Sequence, residues 1–321
     1  MEARVVIFFV ILTLFSVLLQ TADSAPSNKF FLLSDIHFDP FYDASKDPET
    51  FCRPKSIDSS SCDASKSDAK RYDLSEKGDD LFTDYGQFGC DTPFDLMVSS
   101  FDAMRRTLPN PDFILASVFS FLFFSFPFLR PLWCQLKAES ETTDRPTDTP
   151  TTNRTGDFSA HCMNSMKDSL TAIQNATATL SSFFPSAPIL PLIGNNDVFP
   201  KDQIPDGPSE ELEQMAAIWG PLLPASAIKS FLQGGFYTVS LRPGLRVIVL
   251  NTIFYMTSWC PNNQTECSND YTPTTDDPAN QFVFLADTLL YARKHNEQSV
   301  SSLLLFTHTR TGVLSPLSCH L

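Results

Sequence analysis

The sequence predicts a layered α/β fold, in which short buried strands alternate with amphipathic helices. Two observations support this prediction. Short, continuous apolar runs recur along the chain, and polar residues follow each of them. Between these runs, apolar residues recur at the spacing of one helix face. Strands that alternate with helices generally pack as a sheet layer covered by helix layers.

The order of the predicted elements follows from these patterns. Buried strands are predicted at 30–34, 112–115, 187–193 and 302–306. Helices are predicted at 93–107, 165–183, 209–219 and 278–294. Two further strands, joined by Arg-Pro-Gly and typical of a β-hairpin, are predicted at 236–241 and 245–250. Residues 43–92 lack periodicity, so a long loop is expected there.

Length, composition and charge restrict the class of protein. A chain of 321 residues suits one large domain or two small ones. With 42% hydrophobic and 19% charged residues, the chain can bury a sizeable core. The formal net charge of -14 repels nucleic acid at long range, so no nucleic-acid partner is expected. Bound metal cations would offset that charge locally for an anionic substrate.

The N-terminus has the pattern of a secretory signal peptide. Arg4 precedes an apolar run at 5–19, and small residues follow at the usual cleavage spacing. The apolar run is short for a full membrane span. We therefore expect a signal peptide at 1–24 and one catalytic domain at 25–321, with an uncleaved anchor as the alternative. The expected location is extracellular, or the lumen of a lysosome or vacuole.

Disulfides and glycans are expected in that compartment. Of the eight cysteines, Cys260 and Cys267 bracket a short loop and form the disulfide candidate, while the pairing of the others stays open. Zinc binding by cysteines is disfavoured because the sequence has no Cys-x-x-Cys pair. Asn153, Asn175 and Asn263 each begin an Asn-x-Thr sequon, and the last two are the glycosylation candidates.

Polar motifs follow three of the predicted buried strands. Asp35 and His37 follow the first strand, a Gly-Asp pair at Asp157 comes after the second, and a Gly-Asn pair at Asn195 follows the third. His308, after the last apolar run, is a fourth candidate. Because the carboxyl ends of neighbouring strands meet at one rim of a sheet, these side chains are expected to converge there. Their oxygen and nitrogen donors suit divalent Zn, Mn, Fe or Mg ions.

The order Asp-x-His, Gly-Asp, Gly-Asn-x-Asp resembles that of the calcineurin-like metallophosphoesterases. Longer strings resemble the acid sphingomyelinase-like phosphodiesterase and endopolyphosphatase branch of that family. They are SDIHFDPFY (34–42), GDFSAH (156–161), GNNDVFP (194–200) and the segments 234–252 and 277–292. The resemblance covers residues 29–117 and 156–298. It implies a metallophosphoesterase-type β-sandwich flanked by helices.

The resemblance also implies a role for each motif residue. Asp35 and His37 would bind a first divalent metal ion. Asp157 would bridge two ions, Asn195 would bind the second, and His308 would be a further ligand. Zinc is the first choice for both ions, with manganese, iron or magnesium as alternatives. Two such ions lie about 3.5–4 Å apart in enzymes of this kind, and a hydroxide bridging them attacks phosphorus.

Two further residues are catalytic candidates by this resemblance. His161, in the Gly-Asp-x-x-x-His string, would face the leaving group as a general acid. The alternative for His161 is a core histidine bonded to the backbone. Asn196 stands where this branch often has histidine, and it can donate a hydrogen bond to phosphate but cannot act as an acid. A Gly-Asn-Asn-Asp string is familiar among endopolyphosphatases and some sphingomyelinase-like relatives.

Two parts of the sequence depart from the family pattern. Residues 118–155 are a Phe-rich run and then a Pro/Thr-rich tract, and removing them joins the second strand to the Gly-Asp motif. We interpret this segment as a retained intron or similar gene-model error, with a large loop beside the bridging ligand as the alternative. Thr307 and His308 resemble a degraded Gly-His motif, and no Gly-His-x-His motif follows. We therefore expect the C-terminal part of the domain to be missing from this chain.

These inferences lead to one functional prediction and three alternatives. The prediction is a metal-dependent hydrolase of phosphodiesters such as phospholipid headgroups, whose contact with a membrane would come through the substrate. The first alternative is hydrolysis of polyphosphate. The second is a truncated, secreted relative without catalysis, and the third makes 113–133 a membrane segment. No oligomeric state is predicted.

Overall fold

The structure is a computed structural model that describes residues 29–46, 50–54, 83–87, 89–116, 157–256, 259 and 277–302. The predicted signal peptide, the segment 118–155 and the residues from 303 onward lie outside the described residues. The described elements mix helix and sheet, which confirms the predicted α/β class.

The first sheet is parallel and has three short strands. They are β1 (Phe31–Leu33), β2 (Ile114–Ala116) and β3 (Ile189–Pro191), in that order. Every residue of β2 and β3 is buried, as expected for parallel strands covered on both faces. The register aligns Leu33 with Ala116 and Ala116 with Pro191, so the strands end at one rim. This confirms three predicted strands and places their polar motifs on the same side.

Two helices pack against each other next to the segments that carry these motifs. They are α1 (Phe94–Thr107) and α2 (Met166–Phe183). The rings of Phe101 and Phe183 meet edge to face, with centroids 6.2 Å apart. Helix α2 begins where the Ser165 hydroxyl accepts the backbone N–H of Asp168, which satisfies a donor that the helix itself leaves unpaired. Both helices begin one residue after their predicted starts, at the first residue past the cap.

The next two helices differ in how well the sequence predicts them. Helix α3 (Glu210–Trp219) is predicted and is capped by Ser209, whereas α4 (Ala225–Gly234) has no counterpart in the sequence analysis. Helix α4 ends at Gly235, whose φ of 77° is in the left-handed region. A Cβ atom there would lie 2.7 Å from Cδ1 of Ile193. Conformation and space both require glycine at this helix end.

The second sheet contains the predicted hairpin. Strands β4 (Tyr237–Arg242) and β5 (Leu245–Val249) are antiparallel, and β6 (Gln298–Ser302) pairs with β5 in parallel. Short 3₁₀ turns occur at Ile253–Tyr255 and Pro278–Asn280. The last helix, α5 (Gln281–Lys294), follows the second turn and confirms the predicted helix. Strand β6 begins before the predicted 302–306 strand, and 303–306 lie outside the described residues.

One hydrophobic core contains residues of both sheets and of the helices. Trp219 is fully buried, and its ring lies against those of Phe158 and Phe231 at centroid distances of 5.7 and 5.6 Å. The hydroxyl of Tyr237 in β4 donates to the carbonyl of Pro191 in β3 at 2.7 Å, which links the two sheets. The metallophosphoesterase-type arrangement of these sheets stays a prediction.

Within the described ranges, no helix is both long enough and apolar enough to cross a membrane. Residues 114–116, near the start of the alternative membrane segment, instead form the buried strand β2. The rest of that segment, from 117 onward, lies outside the described residues.

Candidate metal centre

The loop after β1 carries two of the predicted metal ligands. Asp35 and His37 have φ angles of 53° and 44°, in the left-handed region that residues other than glycine rarely adopt. Neighbouring backbone holds them there: the N–H of His37 donates to the Asp157 carbonyl at 3.2 Å, and the N–H of Phe38 donates to the Phe158 carbonyl at 2.9 Å. Strained residues of this kind persist where the surroundings determine them, and they cluster at functional sites.

The side chains of Asp35, His37 and Asp157 meet in one cluster. The Nε2 atom of His37 lies 3.5 Å from Oδ1 of Asp35 and 3.6 Å from Oδ2 of Asp157. Asp157 is fully buried. One donor atom from each of the three residues is close enough to the others for all three to hold a metal ion. The structure thus brings together three predicted ligands from two separate segments of the sequence.

Burial and charge act against each other on the pKa values of this cluster. Burial by itself lowers the pKa of His37, but the nearby carboxylates of Asp35, Asp157 and Asp91 outweigh it and raise that pKa to about 9. Burial raises the pKa of Asp157, against the lowering effects of the His37 charge and of hydrogen bonds from Asn196. The carboxylates of this cluster therefore stabilise the protonated form of His37.

Asn195 and Asn196 lie in the loop after β3, and Asn196 contacts Asp157. The backbone N–H of Asn196 donates to Oδ1 of Asp157 at 2.7 Å, and its side-chain amide donates to Oδ2 of the same carboxylate. The amide oxygens of both asparagines, and Nδ1 of His37, are buried without a hydrogen-bond partner. Each unsatisfied buried atom of this kind costs about 1–3 kcal/mol. A divalent cation would satisfy amide oxygens, so the donor set fits the predicted metal ions.

Asp197 joins the two loops that carry the predicted ligands Asp157 and Asn195. Its Oδ1 atom accepts the backbone N–H groups of Phe158 and Ser159, both at 2.9 Å. Its Oδ2 atom accepts the N–H of Gly194 at 2.9 Å. Burial, and then the charge of Asp157, raises the pKa of Asp197 to about 8. Asp197 is the last residue of the Gly-Asn-x-Asp pattern, and that pattern is the sequence signal that identifies it.

His161 lies beside the cluster and is held by Asp91, a residue that the sequence analysis missed. The Nδ1 atom of His161 is 2.7 Å from Oδ1 of Asp91, and its backbone N–H donates to Oδ2 at 2.9 Å. The rings of His161 and His37 are stacked, with centroids 4.1 Å apart. Burial favours a higher pKa for Asp91, but the hydrogen bond and charge of His161 lower it. An aspartate in a long loop has no sequence signal for this role.

The short segment that carries Asp91 is held by a disulfide and by a backbone hydrogen bond to other parts of the chain. Cys90 forms a disulfide with Cys52, which decides one pairing that the sequence left open. The backbone N–H of Thr92 donates to the carbonyl of His37 at 2.9 Å. The side chains of His37, Asp91 and His161 also form a second group with atoms close enough to hold a metal ion. The disulfide therefore lies one residue from a side chain of the site.

A buried ion pair connects the same region to the loop after His161. The Nε atom of Arg53 donates to Oδ2 of Asp39 at 2.7 Å, and its Nη1 atom donates to the carbonyl of Cys162. Arg53 and Asp39 are only 1% and 2% exposed. Such a pair is costly to break, because the remaining charge stays buried without a partner.

The other predicted site residues are not part of this cluster. Asn175 is exposed on helix α2, where a glycan would reach solvent, and its glycosylation stays a prediction. The remaining predicted residues lie outside the described residues; they are His308, Cys260, Cys267, Asn153 and Asn263. Their predicted roles are therefore untested.

Comparisons with known proteins agree with the motifs. No family model matches the chain. It is similar to sphingomyelinase phosphodiesterase C of Dictyostelium discoideum, with 29% identity over 91% of this chain and 52% of the relative. The human cyclic GMP-AMP phosphodiesterase SMPDL3A is 27% identical over 89% of this chain and 49% of its own length. Human acid sphingomyelinase-like phosphodiesterase 3b is 29% identical over 84% and 46%, respectively.

These similarities confirm the resemblance predicted from the motifs, because they extend over most of the chain. The chain spans about half the length of the curated relatives it matches.

Proposed function

We propose that this chain, a relative of the acid sphingomyelinase-like phosphodiesterases, is a metal-dependent hydrolase of phosphodiester bonds. The observation that carries the proposal is the convergence of Asp35, His37 and Asp157 in one cluster. The buried amide oxygen of Asn195, which has no hydrogen-bond partner, supports it. Carboxylate, imidazole and amide donors at one rim of a sheet form the kind of site that binds divalent ions for phosphate chemistry.

Each ligand would have a distinct place in a site for two ions. Asp35 and His37 would hold the first ion, Asp157 would contact both, and Asn195 would hold the second through its amide oxygen. Zinc is our first choice, with manganese, iron or magnesium as alternatives. When bound, such ions lower the pKa of water and neutralise negative charge on phosphate oxygens. His308 stays a proposed further ligand.

His161 would assist departure of the leaving group. Asp91 occupies its Nδ1 atom, so Nε2 is the ring nitrogen left to face a substrate. The side chain of His161 is 37% exposed, which gives a substrate access to it. We propose that Nε2–H donates a proton to the leaving oxygen, while Asp91 stabilises the charged ring and fixes its orientation. Stacking on His37 keeps this donor next to a proposed metal ligand.

Asn196 would act differently from an acid. Both its backbone and its side-chain N–H groups donate to the carboxylate of Asp157. These bonds hold Asp157 in the orientation in which Oδ2 faces Nε2 of His37. We therefore propose that Asn196 orients the bridging ligand, in addition to the predicted hydrogen bond to a phosphate oxygen.

The substrate class follows from the relatives rather than from the site alone. Their names describe phosphodiesterases that act on sphingomyelin or cyclic GMP-AMP, so we propose a phosphodiester as the substrate. None of the three relatives described above is named for polyphosphate, so that alternative gains no support. A secretory signal peptide, glycosylation and an extracellular or lysosomal location are part of the same proposal.

The proposal is tested by measuring metal content and hydrolysis on the same preparation. The full chain would be purified, its bound metals determined by elemental analysis, and its turnover of bis-p-nitrophenyl phosphate measured. We expect about two ions per chain and measurable turnover. Asp157→Asn should lose bound metal and turnover, whereas the surface variant Asp102→Asn should retain both.

Two outcomes would contradict the proposal. A wild-type chain with neither metal nor turnover would favour the alternative of a secreted relative without catalysis. Turnover that survives both chelation and Asp157→Asn would mean that the reaction uses a different site.

A further inference from the structure

The side-chain amide of Asn195 has one satisfied end and one unsatisfied end. Its Nδ2 atom donates to Oδ1 of Asp202 at 2.9 Å. Its Oδ1 atom is buried and has no hydrogen-bond partner, in a residue that is only 2% exposed. A buried amide oxygen without a partner is uncommon and calls for a ligand that accepts its lone pair.

The partner of this amide determines which way it faces. An amide oxygen and an amide nitrogen are nearly alike in shape, so only the hydrogen-bond network distinguishes the two orientations. An ionised carboxylate can accept hydrogen bonds but cannot donate them. Asp202 therefore admits only the orientation in which the NH₂ group faces it and the oxygen of Asn195 faces away.

The backbone of Asp202 is built into the same loop. Its N–H donates to the carbonyl of Asn195 at 3.0 Å, so the two residues share a backbone and a side-chain hydrogen bond. Asp202 has a φ of 65°, in the left-handed region, which aspartate and asparagine tolerate better than other side chains. This double attachment closes the loop that begins at the metal ligand.

We propose that Asp202 is a positioning residue for the second metal ion: it holds the Asn195 amide so that the oxygen, and not the NH₂ group, faces the ion. The inference rests on the proposed two-ion function. Partners of this kind, one step removed from the metal, typically change its affinity by about 10- to 100-fold when they are mutated. Nothing in the sequence motifs assigns a role to this residue.

The test measures metal affinity rather than activity. The full chain would be stripped with a chelator and titrated with Zn²⁺ or Mn²⁺ alone in a calorimeter. The substitution Asp202→Asn keeps the size and the tolerance for positive φ, but it allows either orientation of the Asn195 amide. We expect it to weaken one of the two bound ions about tenfold and to leave the other unchanged. Asp206→Asn, at a carboxylate that binds the backbone N–H of Ala279, is the matched control.

A double-mutant cycle separates positioning from a general structural role. In the Asn195→Ala background, Asp202→Asn should have no further effect on metal affinity, because Asp202 acts through the removed amide. The melting temperature of the stripped protein should stay near that of the wild type.

Three results would overturn the inference. They are unchanged affinity in Asp202→Asn, equal weakening of both ions, and additive effects in the cycle. If the wild type binds two ions but one of these results is found, only the inference fails. If the wild type binds none, the proposed function fails with it.

Discussion

Replacing Asp91 with asparagine should impair protonation of the leaving group without removing the metal ligands. Asp91 accepts two hydrogen bonds from one residue, from the Nδ1 side of the His161 ring and from its backbone N–H. Asparagine has the same shape but only one oxygen. In Asp91→Asn, an NH₂ group must therefore face one of the two His161 donors.

The expected magnitude follows from the bond that is lost. A hydrogen bond to a charged group contributes about 1.5–3 kcal/mol. Loss of about 2 kcal/mol from the transition state slows a reaction about 30-fold. This loss should apply only when the leaving group needs a proton.

The assay compares two phosphodiesters that differ in their leaving group. Nitrophenolate leaves bis-p-nitrophenyl phosphate readily without protonation, whereas the alcohol released from an alkyl phosphodiester such as glycerophosphocholine needs a proton. We expect Asp91→Asn to slow hydrolysis of the alkyl ester about 30-fold and of the nitrophenyl ester by less than about threefold. His161→Ala should show the same selectivity, and the double variant should be no slower than His161→Ala alone.

An equal loss of rate on both substrates would refute the reasoning, because it would indicate damage to the whole site. Metal content should be unchanged in Asp91→Asn, since Asp91 is not among the proposed ligands of the two ions. The variant Asp102→Asn, at a partly exposed carboxylate on α1 away from the site, serves as a control for substitutions of this type.

Three further predictions concern stability. The pKa of His37 is raised from 6.5 to about 9, which corresponds to about 3 kcal/mol of stability in the metal-free chain. This contribution is complete below pH 6.5 and is lost as the pH rises through 9. Urea unfolding in chelator should show this decline, and a stability that does not change with pH would contradict it. Arg53→Met should destabilise the fold by about 3–5 kcal/mol because the buried carboxylate of Asp39 loses its charge partner. Adding Asp39→Leu should recover much of that loss, and an unchanged urea midpoint in Arg53→Met would disprove the role of the pair. Loss of the disulfide between Cys52 and Cys90, which are separated by 38 residues, should lower the free energy of unfolding by about 4 kcal/mol. Urea unfolding of the variant with serine at both positions, compared with the wild type, measures this loss, and equal urea midpoints would count against it.

Local patterns in the sequence were sufficient for most of the elements that build the site. Continuous apolar runs identify β1, β2 and β3, and helical periodicity identifies α1, α2, α3 and α5, because burial imposes these repeats on the chain. Helix α4 was not predicted, although it has the same length as α3, ten residues. Its buried face depends on contacts that a single sequence does not display.

Most of the candidate ligands were predictable because their motifs lie directly after a strand. Asp35 and His37 follow β1, and Asn195 and Asn196 follow β3, so the parallel register of the sheet brings these segments to one rim. Residues 118–155 separate Asp157 from β2, so Asp157 was predicted from the order of the motifs instead. Which side-chain atoms meet, and at what distances, required the three-dimensional arrangement.

The residues that support the ligands could only be found in the folded structure. Asp91 and His161 are 70 residues apart in the chain, and Arg53 and Asp39 pair across a loop with no periodicity. The sequence by itself determined the fold class, the chain order of the candidate metal-binding motifs and the resemblance to phosphodiesterases, because these depend on short segments read along the chain. The tertiary structure alone decided the Asp91–His161 pair, the orientation of the Asn195 amide and the Cys52–Cys90 bond, because each depends on which distant segments pack together.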